Sequence, residues 1–453
     1  MGRLVEMKVW KEIVVSLFVC LTLSVGKGYA QSESMVSSTD NVPLLERMTD
    51  GKRKVDWADM NIQFCSAADV SFNNAKLDEA AFKVHRIRLE VLGRFHEKFS
   101  YHFRQSLNQY TTPNIPLDNL SGSVELAMVG WQLNDKWKLT AGKQPVQFSG
   151  YECWVNAIKV RHYSDFNNTI PCYQAGLNAA YKMNDNHEFN FQVTNNRNGD
   201  SADQFMYGLP EGVEPTKIPL LATVNWDGYF VDHAMQLRYS LSYGQLAKHK
   251  NVFYFTCGNV WDKKPFLGYI DFMYSREGID SKGLISEVTV VNGEGTTVPN
   301  VDYFTTIFNL DYRVASHWNM YVKGVYEQGN VFKSNDMFSS GTYRRVWNVQ
   351  LCAEYYPLKN SELLCYLHLL YKNIHLTEKA RSWGAESYNH QRISLGLVYI
   401  HCPFSEKKLF SAWHLFIYSN KKLYLCNAIM VWITLKSKKI CLLLNKLQKT
   451  PTR

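Results

Sequence analysis

The strictest constraint on this chain is a period of two. In "AFKVHRIRLEVLGRFHEKFSYHFRQSLNQ", residues 81–109, Ile87, Leu89 and Val91 fall on one face while Arg86, Arg88 and Glu90 fall on the other. After a short GRFHEK turn, Phe99, Tyr101 and Phe103 share a face, with His102 and Arg104 opposite. Such alternation sends successive side chains to opposite faces of a strand, and two runs about a tight turn make a hairpin.

The rhythm does not stop there. "ADMNIQFCSAADVSF" (58–72) sets Met60, Ile62, Phe64, Ala68, Val70 and Phe72 against Asp59, Asn61, Gln63, Asp69 and Ser71. Similar segments lie near 82–92, 99–109, 122–133, 137–148, 173–183, 187–195, 219–228, 232–244, 251–260, 266–276, 301–313, 317–328, 344–356, 361–373 and 389–402. That makes sixteen strands.

The connections alternate as well. Short polar turns stand at GRFHEK, NDK (134–136), NDN (184–186), Asp227-Gly228, DKK (262–264), Ala315-Ser316 and PLKN (357–360). Longer stretches at 149–172, 196–218, 277–300, 329–343 and 374–388 fall between them. An even number of antiparallel strands with short turns at one end and long loops at the other is the layout of an outer-membrane barrel. If strand one runs outward, strand sixteen returns inward and ends at Phe404.

The expected class is therefore all-β, a transmembrane antiparallel β-barrel of sixteen strands. No run of about 20 apolar residues lies beyond the N-terminal segment, which argues against spanning helices. A pair of soluble β-sandwiches is opposed by 27 Tyr, 24 Phe and 12 Trp spread along the strands, with no Pro/Gly/Ser linker between halves. In lipid only a closed barrel leaves no unpaired strand edge. The apolar face is expected to meet lipid.

The two ends differ from the body. Arg3, Lys8 and Lys11, the apolar run Ile13–Val25 and the small-residue site Gly28-Tyr29-Ala30 read as a cleaved signal peptide over 1–30, with Met7 an alternative start. Cys20 does not make a lipoprotein signal, because Val19 stands where a small residue is needed. Residues 31–57 are expected to be an N-terminal periplasmic segment and 58–404 the barrel. From 407 to 453 the chain has no acidic residue and no strand rhythm. This tail, 405–453, reads as a frameshift or readthrough product, or else as a basic amphipathic anchor.

The formal charge of +9 resides in those ends. Removing 1–30 and 405–453 from the totals of 50 basic and 41 acidic residues leaves 36 and 38, a net of −2 for the body. A nucleic-acid partner is thereby excluded, and any anion preference must come from local placement. Among the cysteines of the body there is no metal-like spacing. Cys153 and Cys172 could close one loop by a disulfide in an oxidising compartment, although unpaired cysteines in strands and loops are the plainer reading.

Two stretches carry a family resemblance. "FKVHRIRLEVLGRFHEKFSYHFRQSL" resembles the early R-x-R-L…F-S-Y stretch of the porin O/P family, the phosphate- and polyphosphate-selective porins of Gram-negative outer membranes. "WKLTAGKQPVQFSGYE" (137–152) is similar to that family's G-K/R-Q-x-x-x-F-x-x-E marker. The resemblance implies a sixteen-stranded homotrimer with an anion-selective lumen narrowed by the third external loop, here 149–172.

A pore selects ions through charged side chains crowded into a narrow passage. Arg86, Arg88, His102 and Arg104 occupy the polar face of the opening hairpin, and Arg suits phosphate because its planar fork donates two parallel hydrogen bonds. Lys159, Arg161 and His162 sit in the loop, and Arg238, Lys323 and Arg392 fall on polar strand faces. Beside this stands the bracing alternative, in which Glu90 and Glu125 neutralise these arginines as parts of the wall.

No G-x-S-x-G, H-E-x-x-H or Gly-rich phosphate loop is present, so neither an enzyme nor a cofactor is expected. The expectation is a passive diffusion channel for small solutes, tilted toward anions such as phosphate, seated in outer-membrane lipid. Two alternatives stand: a weakly selective uptake channel with structural arginines, and a plugged barrel acting as an adhesin or nutrient-capture component.

Overall fold

The computed structural model describes residues 58–108, 117–198, 205–290, 294–358 and 362–404. The signal peptide, the 31–57 segment and the 405–453 tail lie outside the described residues. The strands are β1 (Asp59–Asn73), β2 (Lys76–His96), β3 (Phe99–Ser106), β4 (Val124–Gln132), β5 (Trp137–Pro145), β6 (Tyr173–Asn184), β7 (His187–Asn195) and β8 (Leu220–Phe230). They continue as β9 (Met235–Ala247), β10 (Lys250–Lys263), β11 (Phe266–Ile279), β12 (Pro299–Ala315), β13 (Trp318–Val331), β14 (Gly341–Tyr355), β15 (Glu362–Leu376) and β16 (Tyr388–Phe404).

Each strand pairs antiparallel with its neighbours in sequence, and β1 closes on β16, from Met60 opposite Phe404 to Asn73 opposite His390. All sixteen expected strands are present, and the barrel is closed. No helix of the described residues is long and apolar enough to cross a membrane.

Alternation assigns the two faces. In β1, Gln63, Asp69 and Ser71 turn inward and are buried. Outside, large apolar side chains remain uncovered around the wall, among them Leu177, Leu241 and Leu395. In water such a surface would be costly; in hydrocarbon it is the requirement, since every backbone group is already paired in the sheet. Aromatic rings gather at the end with short turns, where Phe99 stacks on Trp131 at 5.8 Å and Trp318 meets Tyr355 at 4.8 Å. Amphipathic rings at one level of the wall suit a membrane interface.

The alternation of short and long connections is interrupted at the loop end. The β1–β2 link is only Asn74-Ala75, and the β9–β10 link only Lys248-His249. Asn74, Ala75 and His249 adopt positive φ (49°, 60° and 61°), the conformation that closes a two-residue hairpin. Because the β1–β2 turn is so tight, β2 runs on from Lys76 and rises above β3. At its other end β2 continues to His96, so the GRFHEK stretch narrows to a turn at Glu97-Lys98.

The interior is not uniformly polar. Between β5 and β6, residues 146–172 fold into the lumen, with a 3-10 turn at Tyr151–Cys153 and helix α1 at Asp165–Thr169. Phe148, Tyr151, Phe166 and Ile170 from this loop join Tyr254, Met273, Ile285 and Tyr303 in one apolar cluster. That cluster seats the loop against one side of the barrel.

Candidate functional site

The opening hairpin supplies the first charged group. Register places Glu90 of β2 opposite Arg104 of β3, with Arg88 two positions along the same inward face. Glu125, from β4, receives both arginines: Arg88 Nε donates to Oε1 at 2.8 Å and Arg104 Nε to Oε2 at 2.7 Å. His102 Nε2 lies 2.8 Å from Glu90 Oε1, and Gln63 Nε2 donates to Oε2 of the same carboxylate at 3.2 Å. Arg88, His102 and Arg104 are all buried. Two guanidinium groups thus face two carboxylates. Arg86, half-buried on the same face, has no carboxylate partner among the described residues.

The second group is the inserted loop and the wall it reaches. Two glycines make the approach possible. A Cβ on Gly150 would lie 2.7 Å from the Asp271 carboxylate, and one on Gly258 would lie 3.0 Å from Tyr151 N. With both bare, Tyr151 N and Glu152 N donate to Asp271 at 2.9 and 2.8 Å. Glu152 then turns inward. It accepts from Ser164 Oγ at 2.8 Å and Asn167 Nδ2 at 2.6 Å, and it pairs with Lys323 of β13.

Further along, the loop meets the far strands. Arg161 Nη2 donates to Glu354 of β14 at 3.2 Å, and its guanidinium lies 3.9 Å from the Tyr366 ring centroid. Arg392 Nη2 of β16 donates to Arg161 O at 2.9 Å, and Lys323 Nζ donates to His162 O at 2.8 Å. Lys159, half-buried, sits near Asp311. Ser164 caps α1, whose first amides, Asp165 N and Phe166 N, each donate at 3.0 Å to Glu327 of β13. A carboxylate at a helix start satisfies amides that the helix itself leaves unpaired.

Asp165 pairs with both Arg344, at 2.7 Å, and Lys372. Burial alone would raise its pKa, but Arg344 and Lys372 outweigh that effect and hold it at about 2. His162 is held well below its ordinary value, first by burial and then by Arg392, Lys372 and Lys323 around it. Its imidazole is neutral at pH 7.

The expected site residues thus separate. Arg88, His102 and Arg104 form one mesh; Lys159, Arg161, His162, Lys323 and Arg392 gather at the loop tip. Arg238 belongs to neither, since it pairs with Asp227 at 2.8 Å beneath the Trp154 ring. Sequence reasoning missed Asp271, Glu327, Arg344 and Lys372. Each lies on the inward parity of its strand, so the face was readable; the loop contact, more than a hundred residues away, was not.

The family model described as phosphate-selective porin O and P matches residues 58–399. The chain belongs to that family. No curated protein matches it. Among solved structures it is similar to the outer membrane channel DcaP of Acinetobacter baumannii (10% identity, TM-score 0.53), covering 76% of this chain and 97% of that one. It is also similar to an anion-selective porin from Comamonas acidovorans (7% identity, TM-score 0.51, covering 76% and 100%). A third is Salmonella typhi OmpF in complex with daunomycin (10% identity, TM-score 0.50, covering 76% and 97%). At such identities these likenesses speak for the fold. Family and fold together make this a porin channel of the Gram-negative outer membrane.

Proposed function

We propose that this porin is a passive diffusion channel for small solutes with a tilt toward anions such as phosphate, set at the tip of the inserted loop. The observation that carries the reading is Arg392. It donates to Arg161 O, has no carboxylate partner among the described residues, and keeps a buried Nε without an acceptor. It acts on the neighbouring His162 imidazole together with Lys372 and Lys323. A planar guanidinium with spare donors in a narrow passage offers a passing oxyanion a transient partner. Arg86 offers a second such point. Movement down a gradient needs no cofactor, and fixed charge changes the local concentration of the solute. The family description supports the same tilt, and the family resemblance supports a homotrimer.

The test is a reversal potential in a planar bilayer under a chloride gradient, repeated with added phosphate. The expected result is an anion-side potential with phosphate block, reduced several-fold in Arg392→Ala. A cation-side or zero potential that the variant leaves unchanged would reject the tilt. That outcome would leave the second reading, a weakly selective channel, which the Glu125-bound arginines favour. Absence of any channel from folded protein would move the reading to adhesion or capture. Mass measurement of the detergent-solubilised porin decides the trimer.

A further inference from the structure

We propose that Cys153 and Cys172 are joined by a disulfide in the mature porin, closing a covalent ring around the loop that enters the lumen. Cys153 ends the 3-10 turn, and Cys172 is the last residue before β6. Their thiols are in hydrogen-bond contact although eighteen residues separate them in sequence. Both side chains pack against the same apolar cluster.

The backbone around them is already fixed. Val146 N donates to Cys172 O at 3.1 Å, and Trp154 N donates to Tyr151 O at 2.8 Å. Asp271 holds the two residues before Cys153 through their amides. The cysteines, free thiols in the structure, therefore meet at the neck of a loop whose two sides are anchored independently. Another cysteine of the barrel, Cys65, instead meets the Tyr366 hydroxyl at 3.8 Å.

The pair is also unequal in a useful way. The hydrogen bond from Cys153 lowers the Cys172 pKa below the ordinary thiol value, while the same bond and burial raise that of Cys153 well above it. The contacts of Cys172 Sγ with Ile170 O and Asn167 O, at 3.7 and 3.9 Å, are long and compete weakly. Cys172 is accordingly the first nucleophile, since the thiolate is the reactive form.

The oxidant is a protein disulfide donor of the cell envelope, an oxidising compartment. The Cys172 thiolate attacks one donor sulfur, breaking the donor disulfide and releasing one donor thiolate. Cys153 then loses its proton and attacks Cys172 Sγ, forming the new S–S bond and releasing the second donor thiolate. The loop loses two protons and two electrons, and the donor becomes a dithiol. The resulting ring contains Arg161, His162 and Asp165, so the loop-tip ion pairs with Glu354, Arg344 and Lys372 start from a covalently closed segment, while Glu152 lies just outside it.

The test uses the full chain isolated from outer membranes without reductant. The protein is denatured, alkylated with iodoacetamide, reduced, alkylated again with N-ethylmaleimide, and digested for mass analysis. The expected result is that Cys153 and Cys172 carry only the second label while Cys257 and Cys365 carry the first, and that the unreduced digest holds a linked peptide pair about 2 Da below the sum of its thiol forms. Iodoacetamide on Cys153 and Cys172 at the level of the other cysteines would overturn the proposal. Single-channel recording supplies a second reading. Reductant is expected to raise current noise several-fold in the native porin and to leave a Cys153→Ser/Cys172→Ser porin unchanged; an equal response from both would overturn the role of the ring in steadying the loop.

Discussion

The opening hairpin and the tip of the inserted loop are built from the same kinds of side chain, yet they do different work. In the hairpin, Arg88 and Arg104 share Glu125, and every carboxylate partner lies on neighbouring strands of one wall. At the loop tip, Lys323, Arg344 and Lys372 reach carboxylates carried by the loop itself, Glu152 and Asp165. The first arrangement stiffens a sheet that hydrogen bonds already hold. The second joins two parts of the chain that would otherwise separate. An inward arginine therefore says little until the acid that faces it, and the element carrying that acid, are known.

The comparison can be broken at several points, and the largest effect is expected at Glu152. Changing Glu152→Ala strands the buried Lys323 ammonium and removes the acceptor for Ser164 and Asn167. Removing one partner of a buried pair costs about 3–5 kcal/mol. Because the contact lies between loop and wall, the loss should appear as raised conductance and noise in single channels, with the barrel still resistant to denaturation in the gel-shift assay. Unaltered channel traces would show that the apolar contacts and the remaining polar anchors hold the loop without this pair.

Glu125→Ala should act at similar cost but in the other place. It leaves Arg88 without its carboxylate and Arg104 with only Glu90, so the barrel should unfold at lower urea while the reversal potential stays near the native value. An Arg88→Ala/Arg104→Ala porin sharpens the contrast: its selectivity should stay near that of the native channel. A collapse of anion preference there would return the hairpin to the conduction path.

Smaller effects are expected from Arg392→Ala, which removes one hydrogen bond worth about 1 kcal/mol. Its stability should be close to native while phosphate block weakens. Acid gives the smallest change over most of its range. Asp165 is depressed from 3.8 to about 2 in the folded porin. Its contribution is therefore present in full above the unfolded value and lost only as pH falls toward 2. Protonation of Asp165 should raise current noise below about pH 3. A rise near pH 5 would place the controlling group elsewhere.

Much of the barrel was legible because each strand declares itself locally. Gln63, Asp69 and Ser71 alternate with Ile62, Ala68 and Val70 whether or not β16 is known, and the count of sixteen needs only that rhythm. Loop-end turns were less legible, because Asn74-Ala75 carries no glycine to mark its positive φ. The charged mesh was half legible: Glu90 and Glu125 stood out as possible braces, but cross-strand register decides which arginine each receives. Least legible was the lock between loop and wall. Gly150 and Gly258 matter only because Asp271 lies between the segments that carry them, and nothing near either glycine announces an acid so distant in sequence.

The seam between β1 and β16 has a consequence for how such a molecule comes into being. The first strand made must wait for the last, so no shorter length of chain can enclose a lumen. A polypeptide lacking β16 would present two unpaired borders, one on β1 and one on β15. In this ring the free edges of β1 and β15 are covered only by the final strand.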